Sequence, residues 1–424
     1  MRFPAEGPSG PFRPPATHSP YGSPDPSDPY GTYGGTYGPY SPHDPDAPCG
    51  AIRLRCTTCG RLHALTDLAW RCADCHGLLD VHGFAPAMPN AVELGRRPPT
   101  LWRYAEALPL PRPSRISLGE GMTPLISAPG RPDVLLKADY LMPTGSFKDR
   151  GAVLLVALAA RLGVRKVMAD SSGNAGTAVA AYAARAGLAC EVYVPAATSE
   201  GKVAQLRAYG AEVHRVGGSR EDTAAAAARA ADEPGTFYAS HVHHPFFPHG
   251  TKTYVLELWE QLGGRLPGTL VLPAGNGTLV LGARLGCQEL LDQRLIDRLP
   301  AITAVQAAGC APLVRAAELG GEVPERITAE PTVAEGIAIA RPARGPQVLR
   351  AVRETGGTFV TVPEDRIVAA HRELARHGLY VEPTSAVCWA ALQEGLVPEH
   401  AVEGDRPFAV VPLCGNGLKA KPPE

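Results

Sequence analysis

The sequence predicts an α/β protein with two linked parallel-sheet domains and a cleft between them, preceded by a small cysteine-rich unit. Three observations carry this prediction. From about residue 116 onward, short Val/Ile/Leu-rich runs alternate with Ala-rich runs of helical length, the pattern of parallel strands covered by helices on both faces. A length of 424 residues exceeds what one hydrophobic core usually serves. Four of the ten cysteines form two closely spaced pairs ahead of the alternating region.

Residues 1–48 are dominated by Pro, Gly, Ser and Tyr, with Pro29-Tyr30-Gly31 echoed at Thr32-Tyr33-Gly34 and Thr36-Tyr37-Gly38. Without aliphatic periodicity there is little apolar area to offset ordering entropy, so a disordered tail is predicted. Residues 49–85 hold the paired cysteines. Residues 86–115 are rich in Pro and Arg and read as a linker that becomes ordered near Trp102, Arg103 and Tyr104. Val134–Lys137 then reads as a strand and Ser146–Leu162 as a helix. The alternation continues with a strand at Lys166–Ala169, a helix from Gly176 to Ala186 stopped by Gly187, and a strand at Cys190–Val194. A helix at Lys202–Tyr209, a strand at Glu212–Val216 and a helix at Glu221–Ala231 follow. Thr269–Leu272 reads as a strand and Leu279–Leu291 as a helix. Ala301–Gln306, Thr358–Val362 and Phe408–Pro412 complete the strands.

Composition excludes several classes of function. Lys plus Arg number 41 and Asp plus Glu 42, so a broad electrostatic surface for nucleic acid or anionic membrane is not expected. No apolar run reaches the roughly 18 residues of a membrane span, and Met1–Pro15 lacks the apolar stretch of a secretory signal. A cytoplasmic protein with no nucleic-acid or membrane partner is the expectation.

Cys56-Thr57-Thr58-Cys59 and Cys72-Ala73-Asp74-Cys75 let four thiolates converge on one tetrahedral ion, and the segment between them suits a small hairpin. Structural zinc in a ribbon is the reading. Four thiolates close the site to water, so no catalytic role is expected of it. Cys49 stands outside the pairs. Loss of the ribbon is expected to leave cofactor binding in the core intact.

Pro143-Thr144-Gly145-Ser146-Phe147-Lys148-Asp149-Arg150-Gly151 joins a turn to a helix, with Ser146 as its candidate cap. Lys148 then falls in the first turn, where the positive end of the helix favours the neutral, nucleophilic amine. Ser171-Ser172-Gly173-Asn174 follows a strand and opens a helix, so its free N–H groups could hold a substrate carboxylate. Gly275-Asn276-Gly277-Thr278 lies in the same position after another strand, where glycines let backbone approach a phosphate.

Together with Glu335-Gly336-Ile337-Ala338, Glu382-Pro383-Thr384-Ser385-Ala386 and Cys414-Gly415-Asn416-Gly417-Leu418-Lys419, these motifs resemble the fold-type II pyridoxal-phosphate enzymes, the tryptophan synthase β family, over roughly residues 115–419. The Lys148-Asp149-Arg150-Gly151 ending is most similar to threonine synthases, some of whose relatives also carry an N-terminal zinc ribbon. The resemblance implies a large domain from residues 116–154 and 246–419, a small one from 155–245, and a homo-oligomer. It implies pyridoxal 5'-phosphate on Lys148, Asn174 at the ring hydroxyl, and Gly275, Asn276, Gly277 and Thr278 around the phosphate. Ser171, Ser172 and Gly173 fall at the substrate. Cys414 falls opposite the pyridine nitrogen, where threonine synthases usually have Thr and some dehydratases have Cys. A thiol is a poor partner for a protonated ring nitrogen.

The activity implied is that of a lyase on a small amino acid, a threonine synthase converting O-phosphohomoserine to threonine and phosphate. The alternatives are a serine/threonine dehydratase, a β-replacement enzyme, or a fold kept as a binding or regulatory module. Lys148-Asp149-Arg150-Gly151 and the ribbon favour the first, Cys414 a dehydratase. Lys252 is a candidate for an anionic substrate group, with an ordinary solvated lysine as the equal alternative. His241, His243, His244 and His249 are too irregularly spaced for a second metal site.

Overall fold

The computed structural model describes residues 52–110, 114, 116–171, 173–218, 220–400 and 407–420. The tail 1–48, Cys49 and Ser172 lie outside the described residues.

The cysteine pairs sit in a three-stranded antiparallel sheet of order β2-β1-β3, made from β1 (Arg53–Cys56), β2 (Leu62–Ala64) and β3 (Leu79–His82). The next segment is more built than a linker. α1 (Ala91–Arg96) is capped by Asn90, whose side chain accepts from the Glu93 N–H, and Leu101, Trp102 and Tyr104 after it are buried.

Strands β4 (Leu125–Ala128) and β5 (Arg131–Lys137) pair antiparallel at one edge of the larger sheet. The chain then enters α2 (Asp149–Arg161) and runs through β6 (Lys166–Ala169), α3 (Asn174–Ala186), β7 (Ala189–Pro195), α4 (Glu200–Ala208), β8 (Glu212–Val216), α5 (Arg220–Ala231) and β9 (Phe237–Tyr238). These strands form a fully parallel sheet of order β8-β7-β6-β9. After α6 (Phe246–Thr251) and α7 (Thr253–Gln261) the chain returns to the larger sheet. It runs through β10 (Thr269–Pro273), α8 (Thr278–Asp292), β11 (Ala301–Ala307), α9 (Pro312–Glu318), α10 (Gly345–Glu354), β12 (Thr358–Val362), α11 (Glu364–Arg376), α12 (Pro383–Gln393) and β13 (Ala409–Pro412). The larger sheet has the order β12-β11-β10-β13-β5-β4, parallel except at β4.

The α/β prediction is therefore correct, and the predicted strands match within a residue or two, Arg131–Lys137 starting earlier than expected. β10 and β11 are buried along their whole length, as strands covered on both faces require. The cysteine-rich sheet is less separable than its sequence suggests. Leu54, Cys56, Leu65, Cys72 and Leu79 share one apolar core with α2, α3, Phe246 and Phe247. No helix among the described residues is long and apolar enough to cross a membrane.

Candidate active site

Of the predicted residues, Lys148 meets Thr278 and its turn meets Cys414, while Asn174 is tied through Glu382 to Gly415 at the same strand end. Lys148 is the residue before α2 and its N-cap in backbone terms, one position outside the helix rather than in its first turn. Ser146 does not cap the helix; it bridges to Gly415, its hydroxyl has no partner among the described residues, and Phe147 N–H donates to the Cys414 carbonyl at 2.9 Å. The strand-end residues 414–415 thus hold the lysine turn from behind. Lys148 Nζ donates to Thr278 Oγ1 at 3.3 Å, 130 residues away, and lies 4.4 Å from the Phe147 ring centre and 5.8 Å from that of Phe247. Burial among these rings pushes its amine down to about 8, against the opposing pull of Cys414 and Glu382. A sizeable neutral fraction is then present near neutral pH. The rate of Lys148 modification by an aldehyde reagent, followed by mass mapping, should rise about tenfold per pH unit below 8 and level off above it. A continued rise to about pH 10 would show an ordinary exposed lysine.

The phosphate-loop candidate is shaped by close packing. Gly277 holds φ +76° as the cap of α8, and a side chain there would drive a Cβ to 2.2 Å from Val348 Cγ2 on α10. A Cβ at Gly275 would fall 2.9 Å from the Ile337 Cα. Gly277 offers no side chain to the first-turn N–H groups of α8, which suits an anion at that helix end. Asn276 Nδ2 lies 3.5 Å from His241 Nε2.

Gly173 caps α3, and its N–H donates to Ser171 Oγ at 3.3 Å. Asn174 donates both ways to one carboxylate, at 3.1 Å and 2.9 Å to the two oxygens of Glu382. Sequence reasoning assigns no role to Glu382, and the two residues are 208 positions apart, so no local pattern could pair them. Burial pushes the Glu382 carboxyl up, opposed by Lys419 and by the Asn174 bond. Neither Thr384 nor Ser385 caps α12. Thr384 accepts from Gly336 N–H at 3.1 Å and Ser385 from Gly415 N–H at 3.1 Å, so both join the helix to loops of the cleft. Cys414 is buried at the end of β13, and burial pushes its thiol well above the usual range, so it is neutral.

Lys252 is buried and already paired within the protein. Its ammonium is enclosed, 2.7 Å from Glu289 on α8 and 3.2 Å from His249 Nδ1. His244 is buried against Phe237 and Phe246, with burial pushing its ring down to about 3. Cys56, Cys59, Cys72 and Cys75 place all four sulfurs within 4.8 Å of one another, and no disulfide joins them.

Residues 116–414 match the family described as "Pyridoxal-phosphate dependent enzyme". The chain is 34% identical over 350 residues to the threonine synthase of Methanosarcina acetivorans, covering 80% of this chain and 86% of that protein. It is 33% identical over 377 residues to the threonine synthase of Methanocaldococcus jannaschii, covering 86% and 92%. Among solved structures it resembles a T.th. threonine deaminase, with TM-score 0.60, 28% identity, and 71% and 94% of the two chains covered. In fold alone it resembles a fungal L-serine ammonia-lyase from Rhizomucor miehei, with TM-score 0.60, 23% identity, and coverage of 71% and 95%. The matched span runs from before Lys148 to Cys414 and includes the lysine turn, the glycine-rich loop and the final strand, and the chain belongs to the pyridoxal-phosphate dependent enzyme family.

Proposed function

We propose that the protein is a lyase of the threonine synthase type, converting O-phosphohomoserine and water to threonine and phosphate. The observation that carries this reading is the identity of about a third to threonine synthases over four-fifths or more of the chain. In that reaction the Cγ–O bond breaks and phosphate leaves; water's oxygen joins Cβ, and Cγ ends as a methyl group.

The residues present fit pyridoxal phosphate. A buried lysine amine with a lowered pKa suits covalent attachment, and the packed glycine loop at the start of α8 suits a phosphate. The cofactor supplies a conjugated ring that takes up the electron pair left at Cα when a proton departs. Lys148 would hold the cofactor through Nζ, and the same amine would carry protons at Cα and Cβ. Gly275, Asn276, Gly277 and Thr278 would hold the phosphate. Asn174, steadied by Glu382, would take the ring hydroxyl. Ser171, Ser172 and Gly173 would orient the substrate carboxylate, and Cys414 would serve the ring nitrogen.

Cys414 favours a second reading, β-elimination from serine or threonine to a 2-oxo acid and ammonia, because a neutral thiol would be a poor partner for a protonated ring nitrogen and would leave the electron sink weaker. Incubation of the holoenzyme with O-phosphohomoserine, threonine and serine separates the two. Phosphate release with threonine formation supports the first reading, and ammonia release without it overturns that reading in favour of the second. Cys414→Thr and Cys414→Asp should retain cofactor but change its absorbance and the rate of Cα proton exchange, Asp more than Thr. Spectra and exchange rates identical to wild type would remove Cys414 from the ring.

The cysteine cluster fits structural zinc. Cys56 and Cys75 sulfurs lie 3.4 Å apart, Cys59 and Cys72 sulfurs 3.6 Å apart, close to the edge of ~3.8 Å that Zn–S bonds of ~2.3 Å give in a tetrahedron. Thr58 and Cys59 N–H groups point at Cys56 Sγ at 3.4 and 3.5 Å, an arrangement that stabilises a thiolate. One zinc per chain is expected, and serine at any of the four ligands should release it and loosen the ribbon. Anaerobically purified protein without zinc would sink this assignment.

A further inference from the structure

Arg344 is buried, and its guanidinium makes five hydrogen bonds to acceptors on three separate parts of the chain. Toward the cysteine-rich sheet, Nη1 donates to Asp80 Oδ1 at 2.9 Å and Nη2 to the Leu79 carbonyl at 2.8 Å. Toward the loop between β9 and α6, Nε donates to the Val242 carbonyl at 2.8 Å and Nη2 to the His243 carbonyl at 2.9 Å. The fifth bond, Nη1 to Gln347 Oε1 at 2.8 Å, ties it to the first turn of α10, and Gln347 itself donates to Asp80 Oδ2 at 3.2 Å.

Both the histidine loop and α10 go on to touch the glycine-rich loop. His241, one residue before Val242, meets Asn276, and Val348, on α10 four residues after Arg344, packs on Gly277. The histidine loop is steadied a second time from the ribbon side. The Trp70 ring sits edge-on to His243 at 5.2 Å and to Tyr238 at 5.3 Å, while its N–H donates to Asp232 at 3.0 Å. A buried guanidinium with one half-exposed carboxylate and four neutral acceptors is a poor stabiliser by charge pairing alone. Its geometry instead fixes three segments in one arrangement.

We infer that Arg344 is a positioning residue through which the cysteine-rich sheet sets the phosphate side of the cofactor site. The inference rests on the assignment of residues 275–278 to the cofactor phosphate. It reverses the expectation that ribbon and cofactor binding are independent. Disturbing the ribbon–Arg344 contact loosens the backbone around Asn276 and Gly277 and leaves the lysine end of the site in place.

The test titrates apo-protein with pyridoxal phosphate and, separately, with pyridoxal, which has the ring and aldehyde but no phosphate. Arg344→Met and Asp80→Ala should each raise the dissociation constant for pyridoxal phosphate by about 2–30-fold, Arg344→Met more, and leave that for pyridoxal unchanged. Asp80 is half-exposed on the ribbon, so its variant keeps the test open if Arg344→Met fails to fold. Equal weakening of both ligands would reduce Arg344 to general structural support, and no change in either would abolish the coupling. Gly277→Ala serves as the reference for the loop and should erase the preference for the phosphorylated ligand. If it does not, the loop assignment fails and takes the inference with it. If it does, while Asp80→Ala and Arg344→Met have no effect, the coupling alone is overturned.

Discussion

Lys148→Ala should lower turnover by about 10³-fold or more while leaving the fold in place, because one amine serves both as the covalent anchor and as the proton carrier. The substitution removes little core packing. Lys148 is half-buried as a residue, with its amine tucked beside the Phe147 and Phe247 rings, and among the described residues Nζ makes one long hydrogen bond, 3.3 Å to Thr278. The helix behind it is held by other residues, so far-ultraviolet dichroism and the unfolding midpoint should stay near wild type. Borohydride should fix the cofactor to Lys148 in the wild-type protein, and a peptide map with the label on another lysine would overturn the assignment. Lys148→Arg is the sharper control. It retains positive charge and length, but its guanidinium stays protonated throughout the accessible pH range and can neither attack an aldehyde nor accept a proton. Activity in that variant within about tenfold of wild type would show that charge alone matters at the position.

Residues 145–148 and 275–278 are readable in the sequence because each follows from local chemistry. A glycine-rich turn between a strand and a helix announces a parallel strand end whatever lies elsewhere in the chain. The cysteine pairs are readable for the same reason. What stays hidden depends on contacts between distant segments. Nothing near Asn174 signals that both Glu382 carboxylate oxygens will accept from its amide nitrogen, and nothing near Lys252 signals that Glu289 will occupy its ammonium. The start of α2 departs from its sequence pattern for a related reason. Ser146 suits a cap by residue type, yet pairing with Gly415 takes its backbone into a β-bridge and moves the helix start to Asp149. The cysteine-rich sheet looks separable in sequence because its cysteines are local, whereas its attachments are to distant segments, among them Arg344, 264 residues beyond Asp80 along the chain.

Glu257→Gln should destabilise the protein by about 3–5 kcal/mol, since it leaves a buried positive charge without its counterpart. Lys137, Asp139, Arg150 and Glu257 form a closed group of two cations and two anions, wholly inside the protein. Glu257 on α7 accepts from Arg150 at 2.6 and 2.8 Å and pairs with Lys137 at 2.8 Å, while Arg150 also grips Asp139 through two bonds of 2.8 Å. Burial alone would push the Glu257 carboxyl up; Arg150 and Lys137 overcome that and hold it at about 2. Since its pKa in the fold lies below that of the unfolded chain, its contribution is complete above about pH 4.5 and is lost as pH falls toward 2. The stability gap between wild type and Glu257→Gln should therefore be widest near neutrality and narrow in acid. The group also has a functional consequence. Arg150 stands two residues after Lys148 at the start of α2, so its bonds to Asp139 beyond β5 and to Glu257 on α7 fix where that lysine emerges. Restoring charge balance tests this account directly. Lys137→Met in the Glu257→Gln background removes the surplus cation and leaves Arg150 with Asp139 as a neutral pair. The double variant should regain about 1–3 kcal/mol over Glu257→Gln alone in the first unfolding transition. If instead the two losses simply add, the four residues are not a charge-balanced unit, and Glu257 supports the fold through packing and its neutral hydrogen bonds.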